Sequence, residues 1–165
     1  MQTDNKPFKV LAVSDSHNNK YALERIVRKE ADSDAILFLG DGIEDFESGM
    51  SKIKTDGFAV VGNCDADSIS WTRTDIKTFA EKRFFMAHGH MFDVKNTYSV
   101  ILEKAKAEHA DVCLFGHTHR QDLRVVDGVL VINPGAVNPA QHYAVVEILG
   151  TEIRAELRIL KNGEN

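Results

Sequence analysis

Seven side chains in this sequence are of types that hold transition-metal ions, and they stand in short clusters beside glycine or serine: Asp15, His17, Asp41, Asn63, His88, His117 and His119. Imidazole nitrogens mixed with carboxylate and amide oxygens suit an intermediate cation such as Mn²⁺, Fe²⁺ or Zn²⁺ better than Ca²⁺, which prefers an all-oxygen shell. A carboxylate placed between two cations can bridge them and offset their repulsion, so the set could serve a two-metal site with ions about 3.5–4 Å apart. The densest cluster is Phe115-Gly116-His117-Thr118-His119, directly after the apolar run Val112-Cys113-Leu114. On an extended strand alternate side chains share a face, which would set His117 and His119 side by side, roughly 6.5 Å apart along the backbone.

Each cluster follows an apolar run of strand type. Residues 8–13 end at Ser14-Asp15-Ser16-His17-Asn18, and Asn19 is placed to cap a helix over about 21–31, with Leu23, Ile26 and Val27 at helical spacing. A second strand, 35–39, ends at Gly40-Asp41-Gly42; a weaker helix follows over 43–52; a third strand, 58–61, ends at Gly62-Asn63-Cys64-Asp65. Strand and helix in alternation argue for a parallel sheet with its site on the loops at the strands' carboxyl ends. The second half reads differently. Residues 71–79 and 83–87 suggest an antiparallel pair running into His88-Gly89-His90. A helix capped by Asn96 or Thr97 reaches Ala110, with Tyr98, Ile101, Leu102, Ala105 and His109 on its apolar face. Strands at 112–115, 122–126 and 129–132 follow, the last two joined by an Asp127-Gly128 hairpin turn, and 143–149 with 152–160 form a final hairpin. Two sheets packed face to face with helices outside is the arrangement these elements imply. Asp65 and Asp67 read as a solvated turn, with the alternative that acidic side chains beside a two-metal site tune its charge, and 161–165 as a frayed tail.

A chain of 165 residues, 43% apolar and 27% charged, is ordinary for one globular domain, expected here to span 1–165. The net charge of −5 and the lack of a basic block argue against stable nucleic-acid binding, and any phosphate ligand must be drawn in locally. No run approaches the ~20 apolar residues of a membrane span, and the polar start of the chain offers no signal sequence, so the cytoplasm is the expected location. Cys64 and Cys113 stand in unlike settings and suggest neither a disulfide nor a thiolate metal site. Cys113 reads as a small core residue.

Taken in order, Asp15-Ser16-His17, Gly40-Asp41, Gly62-Asn63, His88-Gly89-His90 and Gly116-His117-Thr118-His119 resemble the motifs of the calcineurin-like metallophosphoesterases. With Gly62-Asn63-Cys64-Asp65 and Asn133-Pro134-Gly135, the short chain is most similar to the small YfcE-like phosphodiesterases, over about 9–139. The resemblance implies an α/β fold of four layers, an α-β-β-α sandwich of two mixed sheets flanked by helices. It implies that Asp15, His17, Asp41 and His119 hold one divalent ion and that Asp41, Asn63, His88 and His117 hold the other, with Asp41 as the bridge. Mn²⁺ is the first expectation, with Fe²⁺, Zn²⁺ and Mg²⁺ as alternatives. The implied chemistry is hydrolysis of a small phosphodiester, a metal-bound hydroxide attacking phosphorus in line. A homodimer or higher assembly is also suggested.

Three positions depart from the pattern. Cys64 stands where many relatives have a His that assists the leaving group, so Cys64 joins Asp41, Asn63 and His90 as catalytic candidates, His90 as a phosphate-facing or ligand-supporting group. Ala136 replaces a frequent Ser, and Gln121 a frequent Pro. Plainer readings stand beside these: Asp15 and Asp41 as turn caps, Asn63 as a left-handed turn residue, His142 as a loop residue, and Trp71 and Phe79 as sheet packing. The competing function is a metal-binding interaction scaffold, weakly catalytic or not at all, resembling the retromer subunit of this fold. A nuclease reading lacks the basic channel that a long polyanion needs.

Overall fold

In the computed structural model, which describes residues 6–66, 70–161 and 163, the first strand sets the layering. Strand β1 (Phe8–Val13) is apolar on both faces: Leu11 and Val13 pack toward helices, while Val10 and Ala12 pack toward a second sheet. Beside it run β2 (Ala35–Phe38) and β3 (Asp56–Ala59), both parallel, and on its other side β9 (His142–Leu149) and then β10 (Glu152–Ile159), antiparallel. The sheet order is β10-β9-β1-β2-β3. Near-continuous apolar runs such as Ala35–Phe38 are what a strand covered on both faces requires.

The second sheet has the order β4-β5-β6-β8-β7, from β4 (Thr74–Phe79), β5 (Lys82–Ala87), β6 (Val112–Leu114), β7 (Gln121–Val126) and β8 (Val129–Pro134). Its middle strands β5, β6 and β8 are parallel. Helices α1 (Lys20–Lys29) and α2 (Ile43–Met50) cover the first sheet through Leu23, Ile26 and Phe46, and α3 (Ser99–Ala107) covers the second through Ile101, Leu102 and Ala105. A third apolar cluster, including Val10, Leu37, Phe84, Met86 and Ile132, fills the space between the sheets. The result is the four-layer sandwich of two mixed sheets flanked by helices.

Several details refine the sequence reading. Asn19 caps α1 as expected, its Oδ1 accepting from Ala22 N at 3.1 Å. Strand β3 sits earlier than expected, and Val60 instead bridges Thr72. The third helix is shorter than its apolar periodicity, and His109 lies past its end at φ 55°, exposed rather than on the apolar face. Trp71 and Phe79 are packing residues, Trp71 edge-on to Phe46 and Phe79 between Phe8, Phe58 and Phe84. Cys113 is buried in the core with its thiol pushed up to about 12 by that burial. Gln121 ties the sheets together, its amide donating to the carbonyls of Tyr143 and Arg158 at 3.3 and 2.9 Å. Asp67 and the tail residues 162, 164 and 165 lie outside the described residues.

Candidate metal centre

All the candidate ligands stand on loops at the carboxyl ends of parallel strands: Asp15 and His17 after β1, Asp41 after β2, Asn63 and Cys64 after β3, His88 and His90 after β5, His117 and His119 after β6. These loops are not extensions of the strands. Asp15, His17, Asp41, His117 and His119 all have φ between 41° and 65°, a region that costs a non-glycine residue about 1–2 kcal/mol. This corrects the expectation that His117 and His119 share one strand face. The strand ends at Leu114, and the two left-handed residues send their rings to different clusters.

In the first cluster Asp15, His17 and His119 converge. Asp15 is wholly buried, and its Oδ2 accepts from Ser14 Oγ at 2.5 Å and His117 N at 3.1 Å. That fixes the carboxylate so that Oδ1 points at the histidines, 3.0 Å from His119 Nε2 and 3.4 Å from His17 Nε2. The two imidazole nitrogens are themselves 3.2 Å apart. In the second cluster Asp41, His88 and His117 converge. His88 is buried and its Nδ1 lies 2.7 Å from the Leu39 carbonyl, which can only accept, so Nδ1 carries a proton and it is Nε2 whose lone pair the neutral ring turns toward Asp41. Asp41 joins the clusters, with Oδ2 3.2 Å from His88 Nε2 and 3.8 Å from His17 Nε2, while Oδ1 accepts from Cys64 N at 2.8 Å.

Asn63 and Cys64 border this centre. Both are exposed, the Asn63 amide donates to Cys64 Sγ at 3.3 Å, and Cys64 Sγ groups with His17 and Asp41. His90 lies beside it, its ring 5.5 Å from that of His88 and 6.2 Å from that of His117. His142 lies outside both clusters and meets the Gly135 turn instead. Ala136 is buried behind the Ser14–Asp15 loop.

The charges follow from the geometry. Burial alone would raise the Asp41 carboxyl, but His88 and the Cys64 N–H outweigh it and hold it well below the ordinary value. Burial lowers His88, yet Asp41 and Asp15 together raise it overall. His117 is brought down to about 4, by burial first and then by the charges of His88 and Lys95. Burial, and then the carboxylates of Asp41 and Asp65, push the Cys64 thiol up.

Two residues that support the centre were not picked out from the sequence. Asp65, read as a solvated turn, is a clasp: Oδ2 accepts from Asp41 N and Gly62 N, both at 2.7 Å, and Oδ1 from Gly42 N at 2.7 Å and Ile43 N at 3.0 Å. It thus ties the Asp41 loop to the Asn63 loop and sits at the N-terminus of α2, where a negative charge is favoured. Asn133 is fully buried and latches the histidine loop, its amide donating to Gly116 O and Thr118 Oγ1 at 2.9 Å while its oxygen accepts from Gly135 N. The Asn-Pro-Gly run was the available signal for Asn133, and the acidic residue after Gly62-Asn63-Cys64 the signal for Asp65. Glycine permits the close approaches: a Cβ on Gly62 would lie 2.0 Å from Asp41 Oδ1, and one on Gly116 would lie 2.6 Å from Asp15 Oδ2.

A family model described as the calcineurin-like phosphoesterase superfamily domain matches residues 8–154. The chain belongs to that superfamily. It is 32% identical over 130 residues to "Probable metallophosphoesterase YsnB" of Bacillus subtilis, covering 78% of this chain and 74% of the relative. It is 24% identical over 167 residues to Phosphodiesterase YfcE of Escherichia coli K12, covering 82% and 85%. In fold it resembles Vacuolar Protein Sorting 29 from Cryptosporidium parvum, with a TM-score of 0.79 and 17% identity over 96% of this chain and 94% of that one. A calcineurin-like metallophosphoesterase implies divalent ions, and the residues present fit them. Among the described residues, Asp15 Oδ1 and His88 Nε2 are buried acceptors with no hydrogen-bond partner, both aimed into the clusters. An unmet buried polar atom costs about 1–3 kcal/mol, which a cation between these donors would relieve.

Proposed function

We propose that the protein is a two-metal phosphodiesterase that hydrolyses small phosphodiesters. Asp15, His17, Asp41 and His119 would hold one divalent ion and Asp41, Asn63, His88 and His117 the other, with Mn²⁺ the first candidate. The observation that carries this reading is the pair of carboxylate–histidine clusters joined at Asp41, each with a buried acceptor left unmatched. When bound, the ions would supply Lewis acidity, an activated water and charge neutralisation at phosphorus.

The chain's own residues do the rest. Asp41, kept ionised, sets the spacing of the clusters through its two oxygens. Leu39 O and Ser14 orient His88 and Asp15, so little reorganisation is needed as charge develops. His90 flanks the substrate's phosphoryl oxygens, and Cys64, a neutral thiol in place of an imidazole, favours leaving groups that depart without a proton.

The test is hydrolysis of bis(4-nitrophenyl) phosphate and 4-nitrophenyl phosphate by chelator-treated protein with single metals restored. Diester cleavage is expected to outpace monoester cleavage and to fall at least about 10²-fold in Asp41→Asn. Metal should also raise the melting temperature, by about 2.7 kcal/mol of stability at a hundredfold excess over its dissociation constant. Metal-stabilised protein without turnover would favour the scaffold reading.

A further inference from the structure

We propose that a groove beside the metal centre binds a second phosphate on the substrate, so that the diester hydrolysed is one carrying a phosphate on its organic substituent. This rests on the phosphodiesterase reading for its reaction but not for its binding.

The groove, about 860 Å³, is lined among others by Lys95, Tyr98, Thr118, Arg120, Asp122 and Arg124. That volume is within the range of small-molecule sites. Its lining includes Thr118, the residue between His117 and His119, so the groove adjoins the loop that carries both histidines. The one carboxylate in its lining is already committed. Asp122 accepts from Arg124 Nε at 2.9 Å, from Arg124 Nη2, and from Tyr98 OH at 2.8 Å. Arg124 is further held over the Tyr98 ring at 5.2 Å.

Lys95 and Arg120 are left. Both are exposed, and neither has an ion pair or side-chain hydrogen bond with another described residue. A guanidinium and an ammonium over one groove are the usual means of holding a phosphate, one by bidentate hydrogen bonds and the other as a point charge. Helix α3 adds to them: Thr97 Oγ1 accepts from Ser99 N at 3.2 Å, but the N-cap Tyr98 makes no side-chain cap bond, so the positive end of the helix borders the groove.

A second cavity, bordering the centre at His17, Asp41 and Cys64, has the reverse sign. This cavity, of about 340 Å³, is lined by Asp41, Glu44, Asp45, Glu47 and Asp65, with no Lys or Arg among its described lining residues. In a chain of net charge −5 an anionic substituent is turned away there and drawn to the Lys95–Arg120 side. The two cavities therefore fix which way round a doubly phosphorylated substrate lies.

Calorimetry on the Mn²⁺-loaded protein with thymidine 5′-phosphate and thymidine 3′,5′-bisphosphate tests this without needing turnover. The bisphosphate should bind about tenfold more tightly, with a preference that shrinks as salt is raised. In a Lys95→Ala/Arg120→Ala variant of unchanged melting temperature the preference should fall to within about twofold. Equal binding of the two nucleotides by wild type, or a preference that survives in the double variant, would overturn the proposal. The 4-nitrophenyl ester of each nucleotide then separates the two readings. Cleavage of both at equal kcat/KM would leave the phosphodiesterase reading standing and remove the groove's role. Cleavage of neither, with selective binding retained, would do the reverse.

Discussion

Asp15, His17, Asp41, His117 and His119 concentrate left-handed backbone at one edge of the molecule. Such strain persists only where the surroundings over-determine it. Asp65 is one of the residues that does this, since its carboxylate receives four backbone N–H groups from the loops carrying Asp41 and Asn63. Replacing it by Asn keeps one acceptor oxygen but turns an amide NH₂ toward N–H donors, leaving two of the four without a partner. Asp65→Asn is therefore expected to cost about 2 kcal/mol in urea unfolding. As a residue supporting ligands, it should also weaken metal binding about 10- to 100-fold. A variant that lost stability but bound metal with wild-type affinity would confine Asp65 to a structural role.

At the scale of elements, the strands and their order of motifs were legible because buried parallel strands are written as apolar runs and each functional cluster begins where a run stops. The Asn19 cap and the Asp127-Gly128 turn were legible for similarly local reasons, whereas the third helix has its N-cap at Tyr98 rather than at the expected Asn96 or Thr97. What was not legible was the path of each loop. His117-Thr118-His119 continues the strand pattern in sequence, yet Asn133 on β8 and Asp15 after β1 hold that loop in a left-handed course that no local signal encodes. The start of β3 was misplaced because Val60 and Val61 look like strand but serve the crossover toward Thr72. The Asn133 latch can be tested. Asn133→Ala leaves Gly116 O and Gly135 N without their buried partner and should destabilise the fold by about 1–3 kcal/mol. It should also uncouple His117 from His119, lowering metal affinity about 10-fold or more. Calorimetric metal titration on the folded variant checks this, and unchanged affinity would mean that the loop keeps its course without the latch.

At the scale of the whole molecule, the end away from the metal centre is held by a buried charge network that joins sheet, helix and final hairpin. Glu30, just past α1, accepts from Lys9 Nζ at 2.8 Å and from Tyr143 OH and Arg158 Nη1 at 2.9 Å, and Lys9 also reaches Asp32 at 2.6 Å. Glu30 is 3% exposed and Lys9 9%, so neither charge is left to water. Burial alone would raise the Glu30 carboxyl, but its hydrogen bonds from Lys9, Tyr143 and Arg158 hold it below its ordinary 4.5. Burial alone would lower Lys9, but Asp32 and Glu30 raise it above 10.5. The Glu30 contribution to stability is thus complete above about 4.5 and is lost as pH falls through the lowered folded value. That of Lys9 is complete below 10.5 and is lost as pH rises through the raised one. Removing one partner of a buried pair strands the other, so Glu30→Gln should cost about 3 kcal/mol at neutral pH. Urea unfolding of the two proteins from pH 7 down to pH ~3 is the measurement, and the gap between them should narrow toward acid as the wild-type carboxylate takes up its proton. A gap that stayed constant across that range would assign the loss to packing around residue 30 rather than to its charge.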